Sequence, residues 1–237
     1  MSEKLLTDSY KAEIDANFKR VRDDLAKAGR EDIILLAATK TLSADVINYA
    51  IDNHGLRYIG ENRVQELVEK YDELHKDGVH IHFIGRLQKN KVKYIIDKVE
   101  LIHSVDSISL AKEIDRQAAK HGIVMDVLVE VNIGEQESKG GVLPKDAHGF
   151  VKELEAFENI RVKGMMVIPP PGNEEENKKS FTESYNLFVD IFTINSHNKD
   201  EYVLSMGMSD SYVSGAMCGS DIVRIGSALF GKREYKN

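Results

Sequence analysis

A chain of 237 residues, 42% hydrophobic, 30% charged and 7% aromatic, has enough apolar surface for a sizeable core, which excludes intrinsic disorder. Thirty-two Lys and Arg against 39 Asp and Glu leave a net charge of −7, so nucleic acid is not an expected partner. Cys218 is the only cysteine, which rules out an intrachain disulfide or a Cys-based zinc set and fits a reducing, cytoplasmic location.

The N-terminal residues Met1 to Asp8 lack the basic start and apolar run of a leader, and the apolar runs are strand-sized, so no membrane role is expected. Tyr10, Ile14, Phe18, Val21 and Leu25 then fall on one helical face that stops at Gly29. Ile33–Ala38 reads as a buried strand, and Ser43 is placed to cap a helix carrying Val46, Ile47, Ala50 and Ile51 that Gly55 closes. Further strands are expected at Arg57–Gly60, Ile81–Gly85, Leu101–Ser104, Met125–Val131, Val162–Ile168, Tyr202–Met206 and Ile222–Gly226, which makes eight.

Amphipathic stretches lie between them: Val64/Leu67/Val68/Tyr71, Val92/Ile95/Ile96/Val99, Leu110/Ala111/Ile114/Ala118, Ala147/Val151/Leu154 and Phe181/Tyr185/Phe188/Phe192. Eight alternating strand and helix units predict an α/β fold, a single (β/α)8 TIM barrel over residues 1–237 with an extra N-terminal helix. A G-x-G-x-x-G fingerprint after the first strand and a Walker A sequence are both absent, which disfavours a nucleotide site.

Barrels carry their chemistry at the C-terminal ends of the strands. Lys40, just past the first apolar run, is placed to offer an amine at the rim, where desolvation would free its lone pair for an aldehyde; the plainer reading is a strand-end lysine with its head in water. After the seventh strand comes Met206-Gly207-Met208-Ser209, and after the eighth Gly226-Ser227-Ala228. Such turns after strands seven and eight can cradle phosphate, or can be ordinary Gly/Ser turns. Arg224, within the eighth strand, needs an acceptor; a pyridine nitrogen or an interior acid such as Asp221 or Glu61 would serve. His82 reads as a structural histidine, His54 as a helix end, Lys139 in the Gly134–Gly141 loop as either solvated or near a ligand, and Pro169-Pro170-Pro171 as the stop of the sixth strand. Glu174-Glu175-Glu176 marks an exposed helix start.

The segments Ala38–Thr41, Gly60–Glu66, His82–Lys91, His103–Ser107, Ser138–Gly141, Met206–Ser209 and Val223–Gly231, in that order, resemble the pyridoxal phosphate homeostasis proteins, a family related to the N-terminal barrel of alanine racemase. The resemblance implies pyridoxal 5′-phosphate as cofactor, held by Lys40 as a Schiff base. It also implies Ser209, Gly226 and Ser227 as the phosphate cradle, Arg224 facing the pyridine nitrogen and Asn62 near the cofactor. Ser227 stands where relatives often have threonine, which keeps the hydroxyl, and Asp210–Ser220 is loosely matched.

An arginine beside the pyridine nitrogen disfavours its protonation and weakens the ring as an electron sink. Racemases of this lineage also use a tyrosine from an extra β domain, for which no sequence is expected after the eighth strand. The expected role is therefore a carrier or buffer in vitamin B6 homeostasis, a monomer or weak dimer that serves pyridoxal-phosphate-dependent apoenzymes. The alternatives are a small amino-acid racemase or lyase using the same cofactor, and a sugar-phosphate barrel enzyme without it.

Overall fold

The computed structural model describes residues 5–136, 138–193 and 201–232, so the ends of the expected 1–237 domain and Glu137 of the Gly134–Gly141 loop lie outside the described residues. Eight parallel strands close into one barrel in sequence order: β1 (Ile34–Ala38), β2 (Tyr58–Glu61), β3 (His80–Phe83), β4 (Leu101–Val105), β5 (Met125–Val131), β6 (Ile160–Val167), β7 (Val203–Met208) and β8 (Ile222–Ile225). Every strand expected from the apolar runs is present, with ends moved by up to two residues. β8 returns to β1 with Leu36 opposite Arg224 and Ala37 opposite Ile225. On the other side of β1, Ala38 stands opposite Gly60 of β2.

Helices wrap the barrel: α1 (Asp8–Lys27), α2 (Ala44–His54), α3 (Val64–Lys70), α4 (Ile108–His121), α5 (Pro144–Leu154), α6 (Glu174–Phe188), α7 (Tyr212–Met217) and α8 (Ser227–Phe230). The expected face of α1 is buried, and its chain reverses at Gly29 with φ 67°. Gly55 ends α2 in the left-handed region, and α6 opens with a capping box in which Asn173 and Glu176 bond each other's backbone amides.

Two expectations are corrected. Ser43 occupies the cap position of α2 with extended backbone, but its hydroxyl accepts no bond from a helix amide. The stretch around Val92, Ile95, Ile96 and Val99 is fully buried as its pattern requires, yet it forms a 3-10 helix (Lys89–Tyr94) and turns instead of an α-helix. The 3-10 helix and the turns that follow bury the same four apolar side chains, so helical spacing of buried positions does not by itself select an α-helix.

The apolar interior divides in two. A large layer lies between strands and helices, and a small plug fills the barrel, made of Leu36, Ala38, Ile84, Leu101, Leu128, Met166 and Ile222. Strand alternation then places Lys40, Asn62, His103, Glu130, Ser205 and Arg224 on the plug's side, nearer the C-terminal mouth. Gly60 belongs to that face because a β-carbon there would stand 2.3 Å from Leu36 and 2.9 Å from Ile84.

Backbone closeness between β6 and β7 gives a stability test. At Gly164, with φ 131°, a β-carbon would stand 2.0 Å from the Val203 carbonyl oxygen, and backbone cannot swing away as a side chain could. Gly164→Ala is expected to lower the unfolding free energy by about 2–4 kcal/mol. Gly149→Ala, in α5 with nothing within 4 Å, should raise it by about 0.5–1 kcal/mol. Urea unfolding of both variants against the wild type checks the pair of signs.

Candidate functional site

Lys40 follows β1 at the rim. Ala38 belongs to the interior plug and Thr39 turns the other way to donate its hydroxyl to Glu61, so alternation directs Lys40 into the mouth. Its loop is fastened at several points. Lys70 Nζ donates to the carbonyls of Thr39 at 3.0 Å and Leu42 at 3.3 Å, on either side of Lys40. The Thr41 amide, whose residue is held at φ 65°, donates to Glu66 Oε2 at 2.8 Å. Lys70 also pairs with the fully buried Glu61 at 2.7 Å. Burial pushes the Glu61 carboxyl up from its ordinary range, and the Lys70 charge opposes that shift.

Across the β1–β2 pair Ala38 stands against Gly60, and Asn62 follows two residues beyond Gly60 as Lys40 follows Ala38. Asn62 Oδ1 is buried without a hydrogen-bond partner among the described residues, an acceptor left for something in the mouth. Across the β1–β8 pair lie the turns after β7 and β8. The backbone amides of Gly226 and Ala228 both point at Ser209 Oγ, at 3.1 and 3.2 Å, so two N–H donors and a hydroxyl converge at the start of α8. Ser227 beside them is exposed. Since β8 adjoins β1, the amine and this seat are neighbours on the rim.

α1 holds that seat from behind. Tyr10 Oη donates to the Phe230 carbonyl at 3.0 Å, Asn17 to Leu229 at 3.1 Å and Arg20 to Ala228 at 2.8 Å, which satisfies carbonyls of α8 that its short length leaves open. Arg30, after α1, donates to the carbonyls of Ala216 and Ser220 at 2.6 and 2.9 Å, and Tyr212 of α7 donates to Asp24 at 2.6 Å.

Below the mouth Arg224 is 5% exposed and donates to Ser205 Oγ at 2.7 Å and to the Val167 carbonyl at 2.9 Å. Neither acid considered from the sequence pairs with it: Asp221 accepts the Leu204 amide at 2.7 Å, and Glu61 holds Lys70. Burial lowers Arg224 to about 10, with Glu130 acting the other way, so the guanidinium stays charged at neutral pH. Burial likewise raises the Glu130 carboxyl; Asp106 adds to the rise, while Arg224 and Arg86 oppose it.

His82 is the structural histidine expected, buried with Nδ1 3.0 Å from His103 Nε2. His54 ends α2, stacks on Phe18 and reaches Asp15 at 2.8 Å. Lys139 is exposed. Among the described residues no group of three His, Cys, Asp or Glu side chains is placed to hold a metal ion, and no helix is long and apolar enough to cross a membrane.

The structure therefore brings Lys40, Asn62, Ser209, Gly226 and Ser227 to one sector of the rim, with Arg224 beneath. Glu61 was considered from the sequence only as a partner for Arg224, and its part with Glu66 and Lys70 in fastening the Lys40 loop was not read there. A glutamate closing an apolar strand, with a lysine nine residues on in a buried helical row, was the available signal. The residues fit a small molecule bearing an aldehyde and an anionic group: an amine, converging N–H donors, an unpartnered amide oxygen and a buried cation.

The family model for the alanine racemase N-terminal domain matches residues 11–234. A pyridoxal phosphate homeostasis protein of Aquifex aeolicus is 42% identical over 219 residues, covering 92% of this chain and 95% of its own. A crystal structure from Bifidobacterium adolescentis is 34% identical, with a TM-score of 0.87, over 96% of this chain and 98% of that one. PipY of Synechococcus elongatus PCC7942, solved with PLP bound, is 28% identical, with a TM-score of 0.78, over 92% of this chain and all of that one.

Two measurements test the site's internal supports. Lys70→Met strands Glu61 in the interior without its cation, and should cost about 3–5 kcal/mol in urea unfolding, most of it recovered in Glu61→Gln/Lys70→Met. The histidine pair sets a pH dependence. Burial, with a smaller contribution from His80, lowers His82 to about 3; burial, with His82 and Arg224, holds His103 well below the usual imidazole range. Both therefore bind fewer protons folded than unfolded below about pH 6.5. Their contribution is complete above that pH and is lost as pH falls towards the folded values, by up to about 1.4 kcal/mol per unit for each ring. Urea midpoints between pH 7.5 and 4.5 should show that fall, with a shallower slope in His82→Gln.

Proposed function

The chain belongs to the pyridoxal phosphate homeostasis protein family, and from that premise we propose that its barrel mouth holds pyridoxal 5′-phosphate, attached to Lys40 as a Schiff base. When bound, the cofactor supplies an aldehyde that condenses with a primary amine, releasing one water, and a phosphate monoester. Lys40 offers the amine from a loop that Glu61, Glu66 and Lys70 keep in place. Ser209, Gly226 and Ser227 offer the phosphate its donors, and Asn62 offers an acceptor beside the amine.

The observation that carries this reading is the strand register: the loop bearing Lys40 leaves β1 between the end of β2, where Asn62 Oδ1 is unpartnered, and the end of β8, where the Gly226 and Ala228 amides meet at Ser209 Oγ, a place a phosphate oxygen would take. Arg224, buried in the barrel interior below the mouth, would be the residue toward the pyridine ring. A guanidinium that remains charged keeps a neighbouring ring nitrogen unprotonated, which weakens the electron withdrawal that amino-acid chemistry needs. The role that fits is storage and delivery of the cofactor to apoenzymes in the cytosol, in vitamin B6 homeostasis, without substantial catalysis.

The purified protein should be yellow. Borohydride reduction and peptide mapping should place a pyridoxyl group on Lys40, and Lys40→Ala should lose the visible absorbance. Incubation with single L-amino acids followed by chiral analysis should show negligible turnover. Robust turnover removed by Lys40→Ala would make the protein an enzyme, and an unreduced Lys40 with retained colour in Lys40→Ala would place the cofactor elsewhere.

A further inference from the structure

The loops after β2, β3 and β4 enclose a cleft of about 760 Å³ on the rim, within the size range of small-molecule sites. Four cations line it, Arg63, Arg86, Lys89 and Lys91, against a single carboxylate, Asp106, in a chain whose net charge is −7. Arg63 is engaged by Glu66 at 2.9 Å. Arg86 and Lys89 are exposed and make no ion pair or side-chain hydrogen bond among the described residues, and Lys91 touches only the ring of Tyr94, 5.9 Å from its centroid. Arg86 feels Glu130 at a distance, but Lys89 and Lys91 add positive charge beside it without an ion pair, and an anion seated among the three offsets their mutual repulsion.

The cleft adjoins the Lys40 pocket. Asn62, two residues past Gly60 where β2 pairs with β1, also lines the cleft, which sets the cleft beside the end of β1 that leads into Lys40. Asp106 Oδ2 and Glu130 Oε1 lie 3.3 and 3.8 Å from where a Gly140 β-carbon would stand, and Glu130 feels both Arg86 and Arg224.

We propose that this cleft is a second anion site that takes a phosphate monoester of small-molecule size, a holding position beside the Lys40 pocket. The guanidinium fork of Arg86 suits two phosphate oxygens, and Lys89 and Lys91 add point charges. A long polyanion is disfavoured because the surrounding chain is acidic. The identification of the occupant as a phosphorylated pyridine vitamer rests on the reading of the Lys40 pocket; the anion site itself rests on the cleft's own cations.

The test uses borohydride-reduced holoprotein, in which the first pocket is filled covalently, titrated calorimetrically at low salt with pyridoxine 5′-phosphate, which has no aldehyde. One further equivalent should bind, inorganic phosphate should compete for it, and pyridoxine without phosphate should not bind. Arg86→Ala/Lys89→Ala should weaken that binding at least tenfold and leave the pyridoxyl content at Lys40 unchanged. The charge reversal Lys89→Glu/Lys91→Glu should do the same. No further equivalent, equal binding of pyridoxine, or unchanged affinity in both variants would overturn the proposal. If reduction leaves no adduct on Lys40, the cofactor reading fails. The cleft is then tested on untreated protein with inorganic phosphate alone, where the same tenfold loss supports it and its absence refutes it.

Discussion

Pairing of β8 with β1 is the constraint from which the mouth's geometry follows. A parallel barrel must close, and closure in this register sets Leu36 against Arg224 and Ala37 against Ile225. The end of the first strand is thereby brought beside the turn that follows the last, although nearly two hundred residues separate them. Ala38 against Gly60 does the same on the other side. Lys40 thus receives neighbours from both ends of the chain, and a slip of one residue in either pairing would turn it outwards.

Charge is distributed in the interior so that one cation stays. Arg224 is buried, keeps its charge, and has a hydroxyl and a carbonyl for partners in place of a carboxylate at contact distance. Two histidines share that interior, and both are held neutral by burial, with His103 also feeling Arg224. A protonated imidazole would add a second positive charge in a region of low polarity. Glu130 compensates Arg224 from a distance, with Asp106 and Arg86 acting on it in opposite directions. The mouth therefore offers anions a standing positive field from below at neutral pH.

The barrel was legible because its strands are short apolar runs at parallel-sheet positions, and burial on both faces permits few alternatives to Ile34–Ala38 or Met125–Val131. Lys40 and the Ser209 and Gly226–Ser227 turns were legible because strand ends and small residues mark a barrel's rim. What escaped the residues alone depends on partners distant in sequence. Val92 to Val99 has helical spacing, but spacing records only which side chains are buried, and a 3-10 helix followed by turns buries the same four. Ser43 has the right type and backbone for a cap, yet a cap needs a bond that composition cannot guarantee. Glu61 reads as an interior acid, but its partner proves to be Lys70 of the next helix and not Arg224, a choice that only the fold makes. Resemblance supplied the roles of Arg224 and Asn62, while the register supplied their places.

The two halves of the candidate pocket are supported in different ways, and the difference bears on exchange. Behind Lys40 stands a buried ion pair with its hydrogen bonds to the loop's carbonyls, and disturbing it exposes a charge to an apolar interior. Behind the anion seat stand three side chains of α1 that reach the carbonyls of a four-residue helix. Asn17 and Arg20 make their bonds near solvent, where a single hydrogen bond contributes about 1 kcal/mol. The amine is thus fixed by strong internal forces and the phosphate seat by weaker peripheral ones. Ser227 is exposed and Ser209 only partly buried, so on the proposed reading the anionic end of a ligand would lie on the solvent side. On the proposed reading the turns that would hold the phosphate are thus tied down less firmly than the loop that carries Lys40.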